Sequence, residues 1–264
     1  MPACQSIIKK AVVERLREKY RCTELPETGS KHQIQFAIMK DMATLYLDTS
    51  GAPLYKRGYK LEQSEASLRE TLAASMVKIA RYRGREDFYD PMCGSGTIAI
   101  EAAQAALGIA PGLRREFDAS SWSDRWAAAF AFEKEAAAAK ARAEKLPIFA
   151  SDNDAAAVEL TQENARRAGV LDFITVHKAN ALTTDWHSKK GVLMCDPPYG
   201  VRMLDLKQAR ALCSKFGEAL RGSELKKYII SADEDFEGIF GIPADKRRKL
   251  YNGMIKCNLY MYFK

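Results

Sequence analysis

Residues 87–103 read DFYDPMCGSGTIAIEAA, and the reading of this stretch organises the rest of the chain. A short run from Asp87 to Tyr89 has the character of a strand and stops at a glycine-rich turn. The turn opens into GTIAIEAAQAAL (96–107), a helical pattern of small and apolar residues. Strand, glycine turn and helix in that order form the first unit of an α/β sheet. Gly94 and Gly96 let the backbone approach a ligand, and the free amides at the helix start suit a nucleotide-like cofactor. A lone G-x-G also occurs in plain tight turns. The dinucleotide fingerprint G-x-G-x-x-G would need a glycine at Ala99, so a nicotinamide hydride enzyme stays a remote alternative.

Downstream, apolar runs and helical patterns alternate, which predicts a mostly parallel sheet flanked by helices. The strands are PIFAS (147–151), DFITVH (172–177), GVLMC (191–195) and KKYIIS (226–231). Between them lie the helices DAAAVELTQENARRAG (154–169) and LKQARALCSKFGEALRG (206–222). A further helix, SDRWAAAFAFEKEAAAAKARAEK (123–145), is capped by Ser121 or Ser123, and Trp122, Trp126, Phe130 and Leu146 predict one packed face. The tail RRKLYNGMIKCNLYMYF (247–263) holds two β-rich runs joined by Asn252-Gly253, a strong hairpin signal. A parallel sheet that closes with an antiparallel hairpin is the topology of class I S-adenosylmethionine-dependent methyltransferases, whose seventh strand inserts between the fifth and sixth. The fold expected is therefore α/β, a doubly wound seven-stranded sheet with an antiparallel C-terminal hairpin.

Residues 1–60 differ in kind. They predict an amphipathic helix and two strands, HQIQFAIMK and MATLYLDTS, with Asp41 at the turn, a small α+β segment that buries little by itself. The helical pattern LEQSEASLRETLAASMVKIARYR, from about Ser64, leads into the sheet domain at 61–264.

The chain has 264 residues, 47% of them hydrophobic and 28% charged, enough for a full core. No apolar stretch reaches the roughly 18 residues that span a bilayer, and the N-terminal stretch has no secretory pattern, so a cytoplasmic protein is expected. Six scattered cysteines form no C-x-x-C pair, and three histidines lack metal-ligand spacing, so neither disulfides nor a metal is expected. The net charge of +7, clustered at sites such as Lys56-Arg57, Arg114-Arg115 and Lys246-Arg247-Arg248-Lys249, favours a polyanionic partner, although charge runs commonly just face water.

The strand ends carry the chemistry. PIFASDND ends in acids where a ribose would lie; register favours Asp152 as the acceptor for its hydroxyls, with Asp154 second or a helix cap. ITVHKAN delivers Asn180, either to an adenine amine or as a turn residue. GVLMC runs into DPPYG, where Pro197 and Pro198 stop the strand in one stiff conformation and hold Asp196 and Tyr199 at its edge. Alone, D-P-P-Y reads equally as a strand terminator. A glycine loop, an acid, a polar group and D-P-P-Y at four strand ends put all of them along the sheet edge where such folds bind ligands.

The strings DPMCGSGTIAIEAA and DPPYG, with LDTSGAPLYKRGYKLEQSEASLRETLAA (47–74) and KRRKLYNGMIKCNLYMYF (246–263), resemble the bacterial THUMP-containing methyltransferases that modify guanine N2 in 23S ribosomal RNA. The resemblance implies S-adenosyl-L-methionine as cofactor and RNA as partner, with no membrane and no metal. It implies a cofactor site of Asp90, Pro91, Cys93, Gly94, Gly96, Thr97, Asp152, Asn153, Asn180 and Asp196, and a catalytic set of Asp196, Pro197 and Tyr199. In this reading the Asp196 carboxylate and the Pro197 carbonyl accept the two amine hydrogens, while Tyr199 stacks on the base. Two residues depart from the family pattern, which has Asn at Asp196 and Pro at Ser67. Residues 1–50 resemble only the closing part of THUMP. D-P-P-Y also serves DNA and tRNA amino-methyltransferases, so these remain alternatives, as does a fragment that binds RNA or cofactor without turnover. A protein-glutamine methyltransferase is a more distant one.

Overall fold

The computed structural model describes residues 2–26, 28–60, 67–143, 145–198 and 206–263. Its main body is a seven-stranded sheet of β3 (Phe88–Asp90), β4 (Ile148–Asp152), β5 (Ile174–Lys178), β6 (Val192–Cys195), β7 (Lys226–Ser231), β8 (Lys246–Asn252) and β9 (Ile255–Tyr262). The order across the sheet is β5-β4-β3-β6-β7-β9-β8. Strands β3 to β7 pair in parallel and β9 is antiparallel to both its neighbours. The seventh strand of the sheet thus lies between the fifth and sixth, as expected from the tail. The chain winds outward from β3 to β5, then returns to β6 on the other side, so the switch point lies between β3 and β6.

Alternating residues of each central strand enter two cores. Phe88, Ile148, Val192, Met194, Ile230 and Leu259 pack on one face with α2 (Glu70–Ala80), α3 (Thr97–Leu107) and α5 (Ala155–Ala168). Leu193, Cys195, Ile229, Tyr260 and Tyr262 pack on the other with α6 (Leu206–Leu220) and the short α7 (Phe236–Phe240), which has no counterpart in the sequence reading. Both faces of β6 are buried, which is why VLMC shows no polar alternation. Each such large side chain contributes about 1.5–3 kcal/mol by leaving water.

Caps set the helix positions. Asp154 accepts the amide of Ala156 at 3.0 Å and so caps α5, while Gly169 ends that helix at φ 71°. Ser123, the second of the two candidate caps, accepts from Trp126 N at 3.4 Å and starts α4 (Asp124–Ala138). The expected packed face of α4 forms in part: Phe130 stacks on Phe117 at 5.3 Å and Trp126 meets both Trp122 and Phe130, but none of the helix's described residues is fully buried, and Leu146 joins the core from the segment before β4 instead. Two boundaries also move. The first strand of the sheet is Phe88–Asp90, shifted by one residue, its ladder running from Phe88 opposite Val192 to Asp90 opposite Ala150. The helix placed from Ser64 begins at Glu70, and Ser64 lies outside the described residues.

At the N-terminus, α1 (Pro2–Tyr20) has no buried residue, and β1 (Gln33–Met39) pairs only with β2 (Met42–Asp48) in a separate two-stranded sheet. The turn before α4 holds this piece. Arg115, 6% exposed, donates to the carbonyls of Ser50 and Pro53, both at 3.0 Å, and to that of Ala52. The Trp122 indole donates to Lys31 O at 2.9 Å, and its ring stacks on His32. Further along, Tyr59 is buried in the core of the main body and donates to Glu101 at 3.1 Å, beside the buried pair of Lys60 and Glu70.

Candidate active site

At the C-terminal edge of the sheet, over the switch point, lies a cavity of about 740 Å³. That is within the usual range for cofactor-sized ligands. One wall is the turn after β3. The Gly96 amide closes it onto Cys93 O at 2.7 Å, and the Cys93 amide ties it to Ser151 O at 3.0 Å. Helix α5 locks it from outside: Thr161 Oγ1 donates to Gly94 O at 2.9 Å, and Asn164 Nδ2 to Ser95 O at 2.9 Å. Thr161 and Asn164 are fully buried polar residues in the middle of a helix, and the sequence reading assigned them no role. Buried polar groups interrupting an otherwise ordinary helix stripe were the available signal.

The two glycines do different work. A Cβ at Gly94 would meet nothing within 4 Å, so the loop leaves open space beside a residue that lines the cavity. A Cβ at Gly96 would come 2.7 Å from Thr161 Cγ2, and φ there is +77°, so glycine is needed for the turn to sit against α5. Gly96 stands behind the wall, whereas Pro91, Cys93, Gly94 and Thr97 line it. Burial pushes the Cys93 thiol up, which keeps it protonated and unreactive.

Asp152, at the end of β4, faces the cavity and accepts two backbone amides, Gly94 N on Oδ2 and Asp154 N on Oδ1, each at 3.0 Å. It therefore joins the glycine loop to the start of α5 while retaining lone pairs on both oxygens. Asn153 and the capping Asp154 line the cavity beside it. Asn180, after β5, also lines it and is a turn residue as well: Oδ1 accepts the Leu182 amide at 2.9 Å. Asp196, Pro197 and Pro198 complete the cavity from the end of β6, and Ser67, Leu68 and Leu212, to which the sequence reading assigned no site role, close it. Tyr199 lies outside the described residues.

Asp90 is set deepest, 1% exposed, behind the lining residues. Neither carboxylate oxygen reaches a full hydrogen bond, though the Ala99 amide in the first turn of α3 is turned toward it. Burial raises its pKa well above the ordinary carboxylate range, and the nearby charges of Asp152 and Asp196 push it the same way. Three carboxylates thus gather around one cavity in a chain of net charge +7. The charges of Asp152 and Asp196, with an Asp90 that can give up its proton, favour a cationic ligand such as one bearing sulfonium and ammonium groups. Together with the loop geometry and the acceptors of Asp152, they fit S-adenosylmethionine.

Comparison with known proteins agrees. Residues 57–261 match the family described as RMKL-like, methyltransferase domain. YpsC of Bacillus subtilis is 36% identical over 100% of this chain and 69% of its own length. The ribosomal RNA large subunit methyltransferase K/L of Psychromonas ingrahamii is 36% identical over 97% of this chain, which spans only 35% of that protein. Among solved structures, SMU.472 complexed with SAH superposes with a TM-score of 0.89 at 36% identity, covering 99% of this chain and 70% of that one. A structure from Listeria monocytogenes, described as a predicted N6-adenine-specific DNA methylase, gives 0.90 at 39% identity, covering 99% and 68%. The chain belongs to the RMKL-like methyltransferase family and is an S-adenosylmethionine-dependent methyltransferase.

Proposed function

We propose that this enzyme methylates the exocyclic N2 of guanine in 23S ribosomal RNA. The observation that carries the reading is the end of β6, where Asp196 and Pro197 border the same cavity as the glycine loop. An exocyclic purine amine is a weak nucleophile because its lone pair is delocalised into the ring. The Asp196 carboxylate and the Pro197 carbonyl accept its two hydrogens and draw the nitrogen toward tetrahedral geometry. Pro197 and Pro198 fix both acceptors before the base arrives, so no reorganisation is needed at the moment of reaction. When bound, S-adenosylmethionine supplies an electrophilic methyl group on its sulfonium. Asp152 would accept from the ribose hydroxyls through its remaining lone pairs. Asn180, with Oδ1 held by the Leu182 amide, would offer Nδ2 and its remaining lone pair to the adenine of the cofactor. Asp90 would supply negative potential behind the cavity wall once its proton is drawn off by a cationic cofactor. Tyr199 stacks on the target base, which must leave its helix to reach the site.

The K/L relatives support ribosomal RNA as the substrate, and such a substrate supports work in the cytoplasm. Residues 1–60 serve as a partial THUMP-like segment and 61–264 as the catalytic domain, tied together by Arg115 and by the buried Tyr59 and Lys60. Incubation with unmodified 23S RNA and methyl-labelled cofactor, followed by nucleoside mass spectrometry, should yield N2-methylguanosine. Label found only as N6-methyladenine would instead support the second reading, an adenine amino-methyltransferase. That reading is favoured by the aspartate at 196 and by the name of the Listeria structure.

A further inference from the structure

Strand β8 ends at Asn252 and β9 begins at Ile255, so the loop between them is Gly253 and Met254. Gly253 has φ +66°, and neither Asn252 nor Met254 has positive φ. Such a two-residue loop demands glycine at its first position and nothing particular before it. Asn252 pairs with Ile255 as the last rung of the ladder, where any strand residue would serve. Its side chain nevertheless is buried, 6% exposed, and leaves the hairpin. Oδ1 accepts the Arg69 amide at 3.1 Å and Nδ2 donates to Ser67 O at 3.5 Å. An asparagine matches a donor and an acceptor of the same backbone segment at once.

That segment belongs to the cavity. Ser67 and Leu68 line it, and Arg69 is the N-cap of α2 with no side-chain cap bond of its own. From the other side Lys60 Nζ donates to Leu68 O at 2.7 Å. The Arg69 guanidinium lies over the Tyr55 ring at 4.6 Å, and a Cβ on Gly253 would come 2.9 Å from its Nη2. Hairpin tip, Arg69 and the cavity wall are therefore packed as one unit, although 183 residues separate the two partners of the Arg69 bond.

We infer that Asn252 is a positioning residue of the cofactor site, tying the wall Ser67–Leu68 to the C-terminal hairpin. This rests on the reading of the cavity as the S-adenosylmethionine site. The test compares N252A, N252D and L250A, the last a half-buried neighbour on the same strand. For each, S-adenosylhomocysteine affinity is measured by calorimetry, stability by Tm, and amide exchange at Arg69 by NMR. N252A should bind about tenfold more weakly, the effect of losing roughly one hydrogen bond's net worth, and its Arg69 amide should exchange faster. N252D keeps the acceptor for Arg69 and should recover part of the affinity. L250A should bind like wild type even where its Tm falls as far as that of N252A. Wild-type affinity in N252A, or equal losses in L250A at equal Tm, would overturn the role of Asn252 alone. Failure of the wild-type chain to bind S-adenosylhomocysteine would overturn the cofactor reading, and the role of Asn252 with it.

Discussion

Replacing Asp90 with asparagine separates what the buried carboxylate costs the fold from what it contributes to the site. Asp90 is 1% exposed, has no full hydrogen bond to either oxygen and feels Asp152 and Asp196. Its folded pKa is raised, so the folded chain holds this proton more tightly than the unfolded one. The stabilising contribution is complete below the unfolded value of about 3.9 and is lost as pH rises through the folded value. Above that point the wild-type chain carries a buried, poorly compensated charge. A buried polar group without partners costs about 1–3 kcal/mol. D90N should therefore be more stable than wild type at high pH by about 2 kcal/mol, a Tm difference of about 4–8 °C for a chain of this size, and the gap should close as pH falls. Calorimetric melts of the cofactor-free protein across pH measure this. Binding should show the opposite sign. A cationic ligand draws the proton off Asp90, so titration in buffers of different ionisation enthalpy should reveal proton release by wild type and none by D90N. Affinity for S-adenosylmethionine should be weaker in the variant. Parallel Tm curves for the two proteins, or identical proton release, would refute this account of Asp90.

Two further variants probe the loop and the acid after β4. G96A forces a side chain onto φ +77° and against Thr161, and should cost about 1–3 kcal/mol in stability, read as a drop in Tm, with cofactor affinity falling alongside it. D152N leaves one of the two amides, Gly94 or Asp154, facing an NH2 group, and should weaken S-adenosylhomocysteine binding at least tenfold by calorimetry, about 1.4 kcal/mol or more.

The sheet and its ligand edge were legible because they rest on local signals. Glycines at 94 and 96, acids after β4 and prolines after β6 each mark a strand end, and chain order alone brings strand ends to one edge. What was not legible depends on contacts between distant residues. Arg57 and Arg115 sit in basic clusters that sequence alone assigns to a polyanion or to solvent, and Lys60 carries no local signal of its own. In the fold Arg57 pairs with Glu101, Lys60 with Glu70, and Arg115 binds three carbonyls of the N-terminal piece. Their partners lie 10 to 65 residues away, beyond the reach of any local pattern. Thr161 and Asn164 were missed for the same reason: a helix pattern does not reveal which loop its buried polar face will hold. The Asn252-Gly253 signal gave the correct hairpin, but only the glycine serves the turn.

In the proposed mechanism the end of β6 holds the amine while the glycine loop holds the cofactor. D196A tests this most directly, with S-adenosylhomocysteine affinity and the single-turnover rate of methyl transfer to RNA determined on the same preparation. Removing one preorganised acceptor should slow transfer about 100-fold or more, with affinity changed by no more than about threefold. Methyl transfer at the wild-type rate in D196A would contradict the account.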